Sequence, residues 1–326
     1  MGDAKTPLRR VILGTGGTIA GRASRAGDNV GYVAGQVSAQ DLMAAVPPLA
    51  GWPLEVEQVA QIDSKDMGFA VWQRLAERVA HHLAREDVAG VVITHGTDTL
   101  EETAFFLHTV LRPGKPVVLT CAMRPSTALV PDGPQNLLDA VTVAGDPRAR
   151  GVLAVCAGGV HAAEHVTKVH SYRVDAFDSG DAGPLGCVEE GVVRWFHAPS
   201  AQSQAEVVDA RRLEAVMQAG AMPRVAWMTS HADADGTQVR AMLAYGAIHP
   251  EAMPHGMVVA GTGNGTLHQA LEAALLAAQA QGVQVRRGTR CARGRVVPGA
   301  AGALEDTHGL APAKARIALA LELMGL

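Results

Sequence analysis

The feature that most restricts the fold of this chain is an alternation. Short apolar, β-rich runs recur at residues 10–13, 55–60, 90–94, 116–121, 151–156, 225–228, 257–260 and 283–286, with helical patterns between them. The pattern at 69–83 carries Trp72, Leu75, Val79 and Leu83 at three-to-four spacing, and further helical patterns lie at 100–111 and 135–143. Strand–helix alternation predicts parallel sheets covered by helices on both faces. From 171 to 222 the rhythm breaks. Gly180, Gly183, Pro184 and Gly186 precede a polar tract at 199–203, which reads as hairpin-like strands followed by a connector. With 326 residues and 48% hydrophobic composition, two cores are favoured over one. The expectation is an α/β protein: a large N-terminal domain over 1–200 with a mainly parallel sheet, a connector at 201–222, and a smaller C-terminal α/β domain at 223–326.

Several functional classes are disfavoured at once. The net charge of −4, from 28 Lys+Arg against 32 Asp+Glu, supplies no basic stripe for nucleic acid, and 4% aromatics supply few stacking platforms. No stretch approaches the ~20 apolar residues that span a bilayer, and the apolar segment 270–280 is interrupted by Glu272 and Gln279, as in a buried helix. The polar N-terminus is followed by only a short apolar run at 11–13, too short for a secretory core. Cys121, Cys156, Cys187 and Cys291 lack paired spacing, so a reducing cytoplasm is the expected compartment.

Two threonine-bearing turns carry the chemistry. VILGTGGTIAG, residues 11–21, runs from an apolar strand into a glycine cluster. Active sites of open α/β sheets lie at such carboxyl ends. A dinucleotide loop is ruled out, because Gly14 and Gly16 match GxGxxG but its third glycine position holds Ile19. VVITHGTDTLEE, residues 91–102, is a second strand end opening a helix. Thr99 with Glu102 fits a capping box. The free N–H groups of a helix start favour a carboxylate or an oxyanion, and Asp98 offers a fixed negative charge to an ammonium.

Together, GTGGTIAG and ITHGTDTLEET, about eighty residues apart, resemble the paired signatures of bacterial L-asparaginases. The segments 62–67 (IDSKDM), 122–126 (AMRPS), 132–136 (DGPQN), 165–168 (HVTK) and 260–265 (AGTGNG) agree in order, so the resemblance spans nearly the whole chain. It implies an amidohydrolase without cofactor or metal that releases ammonia from L-asparagine through a threonine acyl-enzyme. Thr18 falls on the nucleophile. Tyr32 is its neighbour on a mobile lid, expected at about 21–35. Thr97, Asp98 and Lys168 form a second triad, with Lys168 placed in a loop. Ser64 matches the serine that binds the substrate α-carboxylate, and Asp98 would hold the α-ammonium. Asn264 and Glu305 match residues contributed by a neighbouring subunit, within a homotetramer built from dimers.

One position departs from the family pattern. Lys65 stands where a glutamine commonly contacts the substrate amine, and a lysine cannot accept a hydrogen bond. At about 4 Å and an effective dielectric near 20, its ammonium would oppose the substrate's by about 4 kcal/mol. Lys65 is therefore expected to turn away or to pair with Asp63, Asp66 or Glu305. The histidines give no metal set: His81 and His82 are adjacent, and no carboxylate or cysteine set completes the i,i+4 pair of His161 and His165. Three rival readings remain. A broad glutaminase-asparaginase differs by one methylene of substrate. A non-catalytic amino-acid sensor would not need both threonine sets. A tRNA-linked amidotransferase subunit would need an RNA-contacting region for which length and charge leave no room.

Overall fold

A computed structural model describes residues 7–25, 27–198, 208–297 and 304–326. The chain divides into two compact units, Met1–Met217 and Gln218–Leu326, and the division falls inside the stretch 201–222 read as a connector. Part of that stretch, 201–207, lies outside the described residues. Another part forms a helix, Ala210–Gln218, with Val216 buried.

The first unit contains, in order, β1 (Arg9–Gly16), β2 (Arg22–Ala23), β3 (Tyr32–Val33), α1 (Ala39–Ala44), β4 (Leu54–Ile62), α2 (Phe69–Leu83), β5 (Val88–Thr94), α3 (Leu100–Leu111), β6 (Val117–Thr120), α4 (Gly133–Gly145), β7 (Val152–Cys156), β8 (Gly159–Ala162), β9 (Thr167–Lys168), β10 (Phe177–Asp178), β11 (Gly186–Glu189), β12 (Val192–Trp195) and α5 (Ala210–Gln218). Its 8-stranded sheet runs β12-β11-β8-β7-β6-β5-β1-β4. The run from β7 to β4 is parallel, and β8, β11 and β12 add an antiparallel edge.

Side chains alternate across this sheet. Ile12, Val92 and Val118 join Leu137, Ala140 and Val141 of α4 in one core. Their neighbours Val11, Leu13, Val91, Ile93, Val117 and Leu119 face the other way, and all are 0% exposed. Both faces are therefore dry, which explains why these strands read as continuous apolar runs. Each such side chain contributes about 1.5–3 kcal/mol by burial. Helix α2 packs on β4, β5 and α3. Its stripe Leu75, Val79 and Leu83 is fully buried, and Trp72 stacks on Phe106 of α3 at 4.7 Å while its Nε1–H donates to Thr103 Oγ1 at 2.9 Å.

The second unit contains β13 (Val225–Thr229), α6 (Thr237–Ile248), β14 (Gly256–Gly261), α7 (Gln269–Ala280), β15 (Gln284–Thr289), β16 (Glu305–Asp306) and α8 (Pro312–Glu322). Its 4-stranded sheet, β13-β14-β15-β16, is parallel throughout. Met257 and Val259 face the α6–α7 core, whereas Val258 packs on Ala315 and Leu319 of α8. Among the described residues no helix is long and apolar enough to cross a membrane.

Candidate active site

The strand order fixes where the functional side chains gather. The chain leaves β1 for β4 on one side of the sheet, returns to β5 on the other side of β1, and then moves outward through β6 and β7. The carboxyl ends of β1 and β5 thus lie side by side at the point where the winding reverses, the usual crevice for a ligand in such a sheet. Glycines let the loops there touch. Gly17 has φ 79°, and a Cβ on it would sit 2.2 Å from Gly96 Cα; one on Gly96 would sit 2.4 Å from Ser64 Oγ. The turns after β1, β5 and β4 are therefore in backbone contact, and Gly17 N–H also donates to the Ile62 carbonyl at 2.9 Å.

Thr18 opens a short 3-10 turn, Thr18–Ala20, and is buried. Its Oγ1 lies 2.6 Å from Tyr32 Oη. Tyr32 belongs to β3, which pairs with β2 in an antiparallel hairpin, and a Cβ on Gly21 would meet the Tyr32 ring at 2.9 Å. The hairpin is tied down at several points. Ala23 N–H donates to Thr127 Oγ1 at 3.0 Å, Ser126 Oγ donates to the Gly21 carbonyl at 2.9 Å, and Gly35 N–H donates to the Gly17 carbonyl at 3.1 Å. The expected partnership of Thr18 and Tyr32 is thus present in the geometry.

The second set gathers as well. Lys168 Nζ donates to Thr97 Oγ1 at 2.8 Å and to Asp98 Oδ1 at 2.6 Å. Thr97 is buried, the Lys168 side chain is 19% exposed, and Asp98 at 53% keeps its carboxylate open to a ligand. Lys168 lies not in a loop but in the two-residue strand β9, paired with β10. Ser64 Oγ accepts the Asp98 N–H at 3.2 Å, which leaves the hydroxyl hydrogen for an incoming carboxylate.

One sequence reading changes at this point, that of Thr99, and the open alternatives for Lys65 narrow to one. Thr99 occupies the N-cap of α3, but its side chain makes no capping bond. Its hydroxyl donates instead to the Ser64 carbonyl at 2.8 Å. A hydroxyl has a single proton to give, and it goes to joining the β4 and β5 loops. Lys65 does not reach for a substrate amine: its ammonium donates to Asp63 at 2.8 Å and to Asp66 at 3.0 Å, with 61% of the side chain exposed. Its hydrogen bonds to the carboxylates of Asp63 and then Asp66 hold the Lys65 pKa above its ordinary value.

Asn264 and Glu305 belong to the second unit. Asn264 follows β14, its Nδ2 donates to the Val297 carbonyl at 3.0 Å, and its Oδ1 accepts the Val297 N–H at 2.7 Å. Glu305, in β16, pairs with Arg286 at 3.0 Å. Residues 298–303, just before it, lie outside the described residues.

Sequence reading missed the supports beneath the site. The Asp132 carboxylate accepts the N–H groups of Met123 at 2.9 Å and Arg124 at 3.0 Å, shaping the loop after β6. Asn136 Nδ2 donates to the Cys121 carbonyl and its Oδ1 accepts the Ala157 N–H, both at 2.9 Å, so one buried amide joins the ends of β6 and β7. Their only signal was membership of the DGPQN segment. His95 is buried directly behind the Thr97 turn, with Nδ1 2.7 Å from the Gly96 carbonyl. Burial lowers its pKa to about 4, only partly offset by that bond. The imidazole is therefore neutral near pH 7, with its proton on Nδ1.

Residues 10–201 match the family described as "Asparaginase, N-terminal", and residues 224–324 match the "Glutaminase/Asparaginase C-terminal domain". The chain belongs to the asparaginase family. Similar members include L-asparaginase 2 of Bacillus subtilis (strain 168), 36% identical over 96% of this chain and 81% of that protein. A glutaminase-asparaginase of Pseudomonas fluorescens biotype A is 37% identical over 97% of this chain and 86% of that one. Among solved structures, a probable cytoplasmic L-asparaginase from Campylobacter jejuni matches with a TM-score of 0.88 at 36% identity, covering 98% of this chain and 96% of that chain.

Proposed function

We propose that this protein is an L-asparaginase, hydrolysing L-asparagine to L-aspartate and ammonia through an ester on Thr18. The observation that carries the reading is the 2.6 Å contact between Thr18 Oγ1 and Tyr32 Oη in a buried turn that abuts the Thr97 turn. A threonine hydroxyl needs a neighbour to take its proton before it can attack, and Tyr32 Oη is within reach. Oγ1 adds to the side-chain carbonyl carbon, and the C–N bond breaks as the nitrogen gains a proton and leaves as ammonia. Water then adds to the ester and returns the proton to Thr18. Asp98 holds the substrate ammonium, Ser64 donates to its α-carboxylate, and the Thr97–Lys168 hydrogen bond supports the proton transfers of both halves.

A broader glutaminase-asparaginase is the second reading, favoured by the Pseudomonas fluorescens relative of that name at 37% identity. One methylene changes binding by only about 1–3 kcal/mol. Assembly as a homotetramer, a dimer of dimers, would bring Asn264 and Glu305 of a neighbouring copy to the site. A cytoplasmic location is supported by the name of the Campylobacter jejuni structure and by four free cysteines. Ammonia release with L-asparagine, L-glutamine and D-asparagine, measured side by side, tests the function. L-asparagine should be the best substrate, and Thr18→Ala should lose several orders of magnitude in rate. Ammonia from none of the three would favour an amino-acid sensor, and equal rates with glutamine would favour the broader enzyme.

A further inference from the structure

The Lys168 ammonium is aimed at Thr97 and Asp98 from a strand of only two residues. β9 is Thr167–Lys168, and its sheet is 2-stranded, with Lys168 opposite Phe177 and Thr167 opposite Asp178. An isolated two-stranded ladder is marginal on its own. A lysine side chain also has long rotameric freedom to lose when it is aimed. Beside Lys168 the Val169 N–H donates to the Ala176 carbonyl at 2.8 Å, whereas the Lys168 N–H itself turns to a fixture outside the ladder.

That fixture is Glu101. Its Oε2 accepts the Lys168 backbone N–H at 2.8 Å. Glu101 lies in the first turn of α3, three residues after Asp98 and four after Thr97. The same turn therefore grips Lys168 twice, through the main chain at Glu101 and through the side chain at Thr97 and Asp98. With both ends held, Nζ has a defined reach to the Thr97 hydroxyl. Because α3 follows β5 of the 8-stranded sheet, the Glu101 contact ties the small β9–β10 ladder to that sheet.

We infer that Glu101 is a positioning residue for Lys168, an inference that rests on the catalytic reading of the Thr97–Asp98–Lys168 set. It does not touch the reacting atoms. It acts by supplying a carboxylate oxygen as the acceptor for one main-chain donor. A misplacement of about 1 Å in such a set costs up to about 100-fold in rate.

The test compares Glu101→Gln, Glu101→Leu and Lys168→Met in the full-length enzyme, by steady-state kinetics with L-asparagine, the pH profile of kcat, and thermal unfolding. Glu101→Gln keeps an acceptor oxygen and should stay within about threefold of wild type. Glu101→Leu should lose about 10- to 100-fold in kcat with KM changed much less. The pH profile of its kcat should also change shape, because the contact of Nζ with the Thr97 hydroxyl is no longer held at a fixed distance. Simple loss of folded protein lowers the plateau without changing that shape. Wild-type kcat in Glu101→Leu beside an inactive Lys168→Met overturns this inference alone. So does a Glu101→Gln enzyme as impaired as Glu101→Leu, which would show that charge matters and not the acceptor. A fully active Lys168→Met overturns the catalytic reading, and this inference with it.

Discussion

At the scale of single residues, the site is decided by where each donor spends its protons. Ser64 Oγ accepts from Asp98 N–H and keeps its own hydrogen, whereas Thr99 has given its hydrogen to the Ser64 carbonyl. Lys65 aims two of its three N–H donors at Asp63 and Asp66. Burial pushes the Asp63 carboxyl up, but the bonds from Lys65 outweigh it and hold it below the usual range. A lysine so occupied, exposed on the 3-10 turn Ser64–Asp66, exerts a screened field. Lys65→Gln should therefore leave KM for asparagine within about threefold across a salt series, measured by steady-state kinetics; a large fall in KM would show that the ammonium opposes the substrate amine. Histidine sets the acid limit. Burial lowers His95 to about 4 against its bond to the Gly96 carbonyl, and burial lowers His161 to about 4 against the pull of Asp178. The folded pKa lies below the unfolded value of about 6.5, so the unfolded chain takes up the proton first. Stability is then full above about pH 6.5, declines as pH falls toward 4, and has lost about 3 kcal/mol per histidine below that. Urea unfolding from pH 7 to 4 should show a shallower decline for His161→Gln than for wild type, and equal slopes would remove His161 from the account.

At the scale of elements, the site is a junction of loops held by glycine contacts and by one hairpin. Glycine runs at strand ends are legible in sequence, but their reason is not local: Gly17 is glycine because Gly96 lies against it, 79 residues along the chain. The hairpin β2–β3 brings Tyr32 to Thr18 and is pinned from outside by Thr127 Oγ1, which accepts the Ala23 N–H at 3.0 Å. Thr127→Val keeps the shape and removes that acceptor, leaving the N–H without its partner. Hydrogen exchange at Ala23 should accelerate, and kcat should fall several-fold with little change in melting temperature. Unchanged exchange and unchanged kcat would show that the Ser126 and Gly35 anchors suffice. The parallel strands of the two sheets other than β16, and the helices α2, α3, α4 and α7, were predicted to within a few residues, because their apolar spacing is a property of the segment itself; α6 and α8 were not named. The strands β9 and β10 were not, since two residues carry no period, and neither was α5, which buries only Val216.

At the scale of the whole molecule, the two units have separate cores, and the proposed cross-subunit residues belong to the second. Asn264 is braced against Val297 and Glu305 against Arg286, both within the same unit. The second unit also exposes Trp227, Tyr245 and Ile248 at 50%, 58% and 76%. If Asn264 and Glu305 complete a neighbour's site, specific activity should fall on dilution in step with light-scattering mass, and Asn264→Ala should raise KM without changing that mass. A fully active monomer would defeat the tetramer proposal. The sequence by itself determined the parallel strands, the two threonine turns and the family, because hydrophobic period and a glycine-threonine motif are written in consecutive residues. The resemblance named Tyr32 for Thr18 and Lys168 for Thr97, but only the tertiary structure decided the supporting contacts of Thr99 and Glu101 and the distances at which all of them meet. Thr99 meets Ser64 across 35 residues, Lys168 meets Glu101 across 67, and Lys168 meets Thr97 across 71. Partners so distant are chosen by the strand order that sets the loop ends side by side, and no local pattern records that order.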